Sequence, residues 1–503
     1  MEVYMKNNAR IISLVLCALM LVGTLAACNT SPSDTVDLGK GPGGVEITGP
    51  GENGEHVSSY APTGNKYDGA EFIVLESCKA GDMVSAFEYA EENPTVLDTG
   101  ISKKNLAVEA DYDVKIKIIK DIGASNTGAT RMTKSKSSET LDYHLSLISA
   151  YDVVPLAYQD ALYDFNSLPE VNLKNEWWDQ NATRDLEING LMFFTTGDID
   201  VWDDMQQFIM MFNRTLFAQK ITSMTVDEFY ATMQEGKWTY DMFYSLAKGL
   251  TDDTNGNGAP DALDTYGMIT WDDTIYSVFS SCGAQIVSID ESGSLSLPIF
   301  GNELAMNVMR EYTEWTKDNA YNYSRDGGGS KAITMFKENR ALFFMGRLQS
   351  LSIYRDMESD FGIVPVPKYT EDQVYNVTCS PYHLSLVCTL NVNEDVQMRG
   401  EVIESLAYYS RQYLTPAYRE KTLEGQSLRD DGSFETLKIT ADNRIYDIGF
   451  FIKPGDLTAG LIQAYRVWGT DYASLYAERK SQAEMAVKTV SDAYAALASS
   501  WAE

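Results

Sequence analysis

The most specific chemical pattern in this sequence is a loop of oxygen-bearing side chains that begins at Asp253 and ends at Asp264. Side-chain oxygens stand at its first, third, fifth, ninth and twelfth positions, and Gly258 stands at the sixth, where such a loop turns sharply. Ca²⁺ takes about six to eight hard oxygen ligands, and this spacing folds them around one point. The predicted ligands are the side chains of Asp253, Asn255, Asn257, Asp261 and Asp264 and the backbone carbonyl of Ala259.

This loop departs from the calcium pattern at its last position, where Asp264 stands in place of the usual glutamate. The shorter side chain reaches less far toward an ion. The competing interpretation is a surface turn rich in Gly, Asn and Asp that holds no metal. Under both interpretations the loop is structural rather than catalytic. An isolated ion would stiffen the loop, and nothing in the pattern indicates an open coordination position for a substrate.

Aromatic side chains are the second chemical signal, with 8 tryptophans and 30 tyrosines in the chain. Sugar rings have apolar C–H faces that stack on indole and phenol rings, and their hydroxyls need polar partners such as Asp, Asn and Arg. Tryptophan stands beside aspartate in residues 197–204 and 271–273. Carbohydrate binding is one interpretation, and core packing, which occupies most tryptophans, is the other.

Motifs for catalysis are missing from the sequence. It contains no GxSxG, no HExxH and no Walker loop, and its histidines are only His56, His144 and His383. Paired carboxylates such as Asp198 and Asp200 suit a glycosidase, but among 72 acidic residues such pairs arise by chance. We therefore expect a binding protein without catalysis, with a surface-tethered glycoside hydrolase as the alternative.

Charge and cysteine content exclude further classes. The formal net charge of −32 repels phosphate backbones and anionic headgroups, so we expect neither nucleic acid nor a lipid surface as a direct partner. The cysteines beyond the N-terminal region form no CxxC pair, which argues against a zinc or thioredoxin-like motif. These cysteines are Cys78, Cys282, Cys379 and Cys388, and we expect buried thiols.

The N-terminal residues carry targeting signals. Lys6 and Arg10 precede an uncharged apolar run, so residues 1–27 are predicted to be a secretory signal peptide. The sequence Leu-Ala-Ala-Cys that ends at Cys28 resembles a bacterial lipobox, in which this cysteine receives a diacylglyceryl group. The alternatives are an ordinary signal peptide and an uncleaved membrane anchor. Residues 28–65 are rich in Gly and Pro and predict a flexible tether.

The remaining chain is long enough for two lobes and alternates strand-like with helix-like segments. A continuous apolar run at 72–75, an alternating pattern at 114–118 and a further apolar run at 145–148 predict strands. Thr225 and Glu228 have the spacing of a helix-starting capping box. Strands that alternate with helices indicate an α/β fold with mainly parallel sheets.

Several segments, in their order along the chain, resemble the family 1 extracellular solute-binding proteins of bacterial ABC importers. The most specific is 336–346 followed by 361–369, which contains Phe-Gly-Ile-Val-Pro-Val-Pro-Lys-Tyr. The segments 176–198 and 208–217 also match, the latter resembling a strand that crosses between lobes. Together the matching segments span most of residues 70–450.

This resemblance implies a two-lobed, class II periplasmic-binding-protein-like fold with the ligand in an inter-lobe cleft. It implies one lobe from 66–203 plus 347–411 and the other from 204–346 plus 412–503. A monomer anchored outside the cell by lipid would deliver a sugar or oligosaccharide to ABC permease subunits. A sensor lipoprotein that signals to a histidine kinase is a further alternative.

The resemblance also suggests which residues line the cleft. Trp202 lies at the first expected crossing between lobes, and Arg347 follows the second. Trp271 and Tyr382 fall in segments that match cleft-lining segments. We therefore predict ligand contacts from Trp202, Trp271, Arg347 and Tyr382.

Overall fold

A computed structural model describes residues 60–79, 84–123, 127–419, 428, 430–467 and 470–501. The predicted signal peptide 1–27, the lipidation site Cys28 and the predicted tether as far as residue 59 lie outside this range. Across the described residues, no helix combines the length and the apolar character needed to cross a membrane.

The strands and helices alternate along much of the chain. The strands are β1 (Ala70–Lys79), β2 (Val114–Gly123), β3 (Leu145–Ser149), β4 (Phe208–Asn213), β5 (Tyr266–Thr270), β6 (Ser288–Ile289), β7 (Leu295–Ser296), β8 (Ala320–Asn322), β9 (Ala341–Arg347), β10 (Phe361–Val364), β11 (Val377–Thr378), β12 (Ser385–Cys388) and β13 (Arg444–Ile445). The α-helices are α1 (Val96–Tyr112), α2 (Thr127–Ser137), α3 (Ala150–Tyr158), α4 (Gln180–Leu186), α5 (Trp202–Gln206), α6 (Arg214–Lys220), α7 (Val226–Gln234), α8 (Tyr240–Ala247), α9 (Thr274–Ser281), α10 (Glu303–Asn319), α11 (Tyr323–Asp326), α12 (Gly329–Lys337), α13 (Leu351–Tyr354), α14 (Val396–Tyr409), α15 (Thr415–Arg419), α16 (Asp431–Asp442), α17 (Gly449–Ile452), α18 (Leu457–Arg466) and α19 (Tyr472–Trp501).

The first lobe is built on a four-stranded sheet in the order β12-β3-β1-β2. β2 and β3 run parallel to β1, and β12 runs antiparallel to β3. The predicted strands at 72–75, 114–118 and 145–148 are confirmed as parts of β1, β2 and β3. Phe72 and Val74 are fully buried, as expected for a strand covered on both faces.

The second lobe is built on a five-stranded sheet in the order β10-β4-β9-β5-β8. β5 runs parallel to β8 and β9, whereas β4 runs antiparallel to β9 and β10. Helix α7 begins with the predicted capping box: the Thr225 hydroxyl accepts from the Glu228 N–H, and the Glu228 carboxylate accepts from the Thr225 N–H at 2.7 Å. These two sheets with their helices confirm the predicted two-lobed α/β fold.

Two of the chain segments that pass between the lobes lie next to each other in the described part of the chain. The first leads from α5 into β4 at Gln207, and the second leads from β10 toward β12 at Cys379. Gln207 and Cys379 form an isolated antiparallel bridge, and the Ser380 N–H donates to the Gln206 carbonyl at 2.8 Å. We call these two paired segments the hinge.

The predicted boundary at residue 347 is wrong, because the chain remains in the second lobe after β9. β10 pairs with β4 through Phe361–Val364, so the second crossing occurs near Cys379. The sequence gives no warning of this: β10 is a short apolar run that would suit either sheet. Residues 415–419, expected in the second lobe, form α15, which packs on α1 in the first lobe.

The predicted end of the tether also needs correction, because the chain packs on the first lobe from Tyr60. The Tyr60 ring stacks on Tyr408 in α14, with centroids 4.3 Å apart. Thr63 and Asn65 both donate to Oε1 of Glu401, at 2.9 and 2.7 Å. These contacts fix residues 60–65 against α14.

Candidate functional site

Aromatic and cationic side chains gather where the parallel strands of the second lobe end. β5, β8 and β9 share a carboxyl edge, and Trp271, Tyr323 and Arg347 stand at or directly after these strand ends. The Trp271 and Tyr323 rings stack at 6.1 Å with an interplanar angle of 12°. The Arg347 guanidinium carbon lies 5.6 Å from the centre of the Trp271 ring. Ligands of α/β proteins commonly bind at this edge.

The first lobe contributes a matching set of rings. Tyr151 follows the carboxyl end of β3, and Tyr382 and His383 precede β12, whose first residue pairs with the last residue of β3. Tyr151 meets Tyr382 edge to face at 6.2 Å, and Tyr382 meets His383 at 4.9 Å. The His383 ring lies 6.2 Å from Trp271, so the rings of the two lobes form one continuous group. We call this group, with Arg347, the cleft cluster.

Polar groups surround the cleft cluster. The Arg347 guanidinium donates to Oε1 of Gln206 at 2.6 Å and to Oε1 of Gln349 at 3.4 Å. The Ser380 hydroxyl donates to the Asp273 carboxylate at 3.2 Å. Burial raises the pKa of Asp273, and the charges of His383 and Arg347 oppose that shift.

Two buried donors near the cluster lack hydrogen-bond partners among the residues that the structure describes. They are the indole N–H of Trp271 and the side-chain amide nitrogen of Asn322, at the ends of the neighbouring strands β5 and β8. A buried donor left unsatisfied costs about 1–3 kcal/mol. A ligand hydroxyl placed between the strand ends would accept from such donors.

Burial raises the pKa of Tyr151 and of Tyr323, so both hydroxyls stay protonated at neutral pH. A neutral phenol both donates and accepts a hydrogen bond, as a sugar hydroxyl does. The ammonium of Lys453 lies 4.5 Å from the centre of the Tyr151 ring, within the range of a cation–π contact. The cluster thus offers flat apolar faces together with donors and acceptors.

The structure brings three of the four predicted ligand residues together: Trp271, Arg347 and Tyr382. Tyr382 is 43% exposed and presents its ring at the surface. Trp202 lies in α5 and is only 2% exposed, so it offers a ligand almost no surface. The geometry favours Trp271 over Trp202 as a stacking platform.

Sequence analysis missed Tyr151, Tyr323, His383 and Gln206. A rule that takes the first residues after each predicted strand would have found Tyr151, because β3 was predicted. The same rule fails for Tyr323, because β8 is three residues long and its sequence, Ala-Tyr-Asn, carries no strand signal. Gln206 depends on the hinge pairing, which only the folded chain reveals.

The predicted calcium loop folds around its own carboxylates. Asp253 accepts from the N–H groups of Gly256 and Gly258 at 2.7 and 2.9 Å, and both glycines have the positive φ that this turn requires. The buried Asp264 carboxylate accepts from the N–H groups of Thr254 and Asp261. The side-chain amides of Asn255 and Asn257 both donate to Asp261.

Within the described ranges, no group of three Asp, Glu, His or Cys side chains is arranged to hold a metal ion. That finding does not count amide or backbone oxygens, which supply half of the predicted set. Calcium binding by this loop therefore stays a prediction.

A second polar region adjoins the hinge, around an open pocket of about 130 Å³. Arg444, 3% exposed in β13, donates to Asp179 at 3.3 Å and to Asp204 at 2.6 Å, and it also pairs with Asp203. Burial raises the pKa of Asp203, and Arg444 opposes that shift. This group, which we call the Arg444 network, ties α5 to β13 and hence to β11, the strand that pairs with β13 just before the second crossing.

Comparisons with known proteins give the fold but no sequence family. No family model matches the chain, and no curated protein matches it. Among solved structures, the ABC substrate-binding protein Lmo0181 from Listeria monocytogenes, in complex with cycloalternan, is 11% identical with a TM-score of 0.54. That match covers 83% of this chain and 99% of the other.

Two further solved structures match to a similar extent. A cyclo/maltodextrin-binding protein complexed with maltotetraose is 12% identical, covering 85% of this chain and 98% of the other with a TM-score of 0.53. The galacto-N-biose-/lacto-N-biose I-binding protein of an ABC transporter from Bifidobacterium longum, in complex with lacto-N-biose, is 12% identical. It covers 85% of this chain and 99% of the other, with a TM-score of 0.53. At these identities the likeness establishes the two-lobed fold alone.

Proposed function

We propose that this chain is the substrate-binding component of an ABC importer and captures a sugar or oligosaccharide between its lobes. The observation that carries this proposal is the cleft cluster, which joins rings from the carboxyl ends of both sheets. Its flat faces suit the C–H faces of sugar rings, and the nearby buried donors suit their hydroxyls. These faces and donors are sufficient for a site that binds a sugar without catalysing a reaction.

The structural neighbours support this proposal through their own ligands. Cycloalternan, maltotetraose and lacto-N-biose are carbohydrates, and each is bound by a protein of the same two-lobed fold. The neighbours are binding proteins rather than enzymes, in agreement with the missing catalytic motifs. Permease subunits are the partners that this function requires.

A thermal-shift screen against mono- and oligosaccharides tests the proposal. A ligand that binds only the folded protein stabilises it by mass action, by about 2.7 kcal/mol at a hundredfold excess over its dissociation constant. We expect at least one carbohydrate to raise the melting temperature and to bind in calorimetry without release of new reducing ends. Stabilisation by amino acids or peptides alone would contradict the proposal, and new reducing ends would favour a glycoside hydrolase.

We also propose that Cys28 carries a lipid that holds the monomer at the outer face of the membrane. The support is the Leu-Ala-Ala-Cys sequence followed by a Gly- and Pro-rich segment. Cys28→Ser should release the protein to the medium or leave it unprocessed. A fully processed Cys28→Ser protein that still fractionates with membranes would refute the anchor.

We further propose that the loop from Asp253 to Asp264 binds one structural Ca²⁺. The support is its set of hard oxygen donors and the two turns at Gly256 and Gly258 that gather them. Bound Ca²⁺ would neutralise the carboxylates of Asp253, Asp261 and Asp264 and fix the loop at the start of β5.

A further inference from the structure

Gln206 occupies a position that belongs to the hinge and to the cleft at once. It is the last residue of α5, its side chain is fully buried, and its carbonyl accepts from the Ser380 N–H across the two crossing segments. The next residue, Gln207, bridges Cys379 and accepts from the Leu348 N–H at 2.9 Å through its own carbonyl. The main chain of Gln206 is therefore part of the hinge.

The side chain of Gln206 reaches Arg347 in the cleft cluster. Its Oε1 accepts from the Arg347 guanidinium at 2.6 Å, and its Nε2 donates to Oε1 of Gln349 at 3.0 Å. Arg347 also donates to the same Gln349 oxygen, which closes a triangle of hydrogen bonds. This triangle fixes the guanidinium beside the Trp271 ring.

We propose that Gln206 is a positioning residue that holds Arg347 in its ligand-binding orientation and couples that orientation to the hinge. An arginine side chain has many rotamers, and ordering it on binding costs affinity unless the free protein has already ordered it. Gln206 orders it from a buried, hinge-attached position. Rotation of the hinge thereby reorients the guanidinium relative to the ligand. This inference rests on the proposed function for its ligand.

The test compares three variants in the full chain. Gln206→Ala removes both side-chain hydrogen bonds, whereas Gln206→Glu keeps an acceptor for Arg347 and lets Gln349 turn its amide to donate. Gln207→Ala is the matched control, because Gln207 is the same residue type and 1% exposed, and its Oε1 has no hydrogen-bond partner among the described residues. Its backbone contacts survive the substitution.

With the carbohydrate found in the screen, we expect Gln206→Ala to weaken binding about tenfold, the usual effect of losing a hydrogen bond to a charged group. Gln206→Glu and Gln207→Ala should each stay within about threefold of wild type. Wild-type affinity in Gln206→Ala, or equal losses in Gln206→Ala and Gln207→Ala, would overturn the proposal.

A second measurement needs no ligand. The difference in tryptophan emission between the protein and its Trp271→Phe variant isolates Trp271, whose ring lies beside the guanidinium. Gln206→Ala should change this difference spectrum, and Gln206→Glu and Gln207→Ala should preserve it. An unchanged spectrum in Gln206→Ala overturns the positioning role. A changed spectrum in a protein that binds no carbohydrate rejects the proposed function and leaves the positioning role standing.

Discussion

The cleft cluster and the Arg444 network both adjoin the hinge and use their polar groups in opposite ways. The Arg444 network pairs one buried guanidinium with carboxylates of the same chain, namely Asp179, Asp203 and Asp204. The cleft cluster is mostly aromatic, and the indole N–H of its Trp271 has no hydrogen-bond partner among the described residues. The difference separates a region that holds the fold together from a region whose hydrogen-bonding capacity suits a ligand.

The largest expected effect comes from Arg444→Met, which leaves the carboxylates of Asp179, Asp203 and Asp204 close together without their cation. Removal of one partner from a buried ion pair destabilises a protein by about 3–5 kcal/mol. We expect a marked fall in the urea midpoint. Arg310→Met is the control, because Arg310 is 51% exposed in its pair with Glu314, and exposed pairs contribute about 0–1 kcal/mol. Unchanged stability with lost ligand binding would reverse the roles of the two regions.

The loop that begins at Asp253 tests whether oxygens already bonded within the chain can also bind a ligand. The Asp253 carboxylate accepts hydrogen bonds from backbone N–H groups of its own loop. Ca²⁺ binding to this loop would show that they can. At a hundredfold excess of Ca²⁺ over its dissociation constant, the folded state gains about 2.7 kcal/mol. A chelator should lower the melting temperature of the wild type and leave Asp253→Ala unaffected. Superimposable melting curves with Ca²⁺ and with chelator would reject the site.

Trp271→Ala probes the cleft cluster directly. Truncation of a stacking anchor in a desolvated pocket costs about 2 kcal/mol or more, roughly thirtyfold in affinity. Trp315→Ala is the matched control, since Trp315 is also partly buried but packs on Phe243 and Tyr244 in the second lobe. Calorimetry should show the loss for Trp271→Ala alone. Equal losses would mean that packing, rather than contact, explains the effect.

The smallest effect concerns His144, a buried residue of the first lobe whose Nδ1 accepts from the Ile73 N–H at 3.0 Å. Burial lowers the pKa of His144 to about 4, below its ordinary value of 6.5. The unfolded chain therefore takes up the proton first as pH falls. The associated stability is complete above pH 6.5 and is lost between 6.5 and about 4.

This loss amounts to about 1 kcal/mol by pH 5.5. His144→Asn keeps an acceptor near Ile73 and does not titrate. The stability difference between the wild type and this variant should shift by that amount between pH 7.5 and 5.5, as measured by urea denaturation. A constant difference across this range would contradict the assigned cause.

Sequence reasoning predicted the fold and named three side chains of the cleft cluster, for physical reasons that differ between elements. The strands at 72–75 and 145–148 were predictable, because a buried parallel strand needs a continuous apolar run. Trp271 followed from its neighbouring aspartates, and Arg347 and Tyr382 followed from the order of resembling segments. Gln206 could not be predicted, because its role depends on two crossing segments that lie far apart in the sequence.

The placement of β10 failed for a related reason. Phe361–Val364 is apolar and short, and nothing in four such residues specifies which of two sheets they join. The pairing is decided by partners in β4, some 150 residues earlier in the chain. Whether a segment forms a strand depends on its own residues, whereas the sheet that it joins depends on partners far away in the sequence.

The packing of residues 60–65 on α14 has a mechanical consequence. Residues 60–65 are held on α14, so they belong to the first lobe. Turning at the hinge would therefore displace Trp271 and Arg347, which lie in the second lobe, relative to residues 60–65.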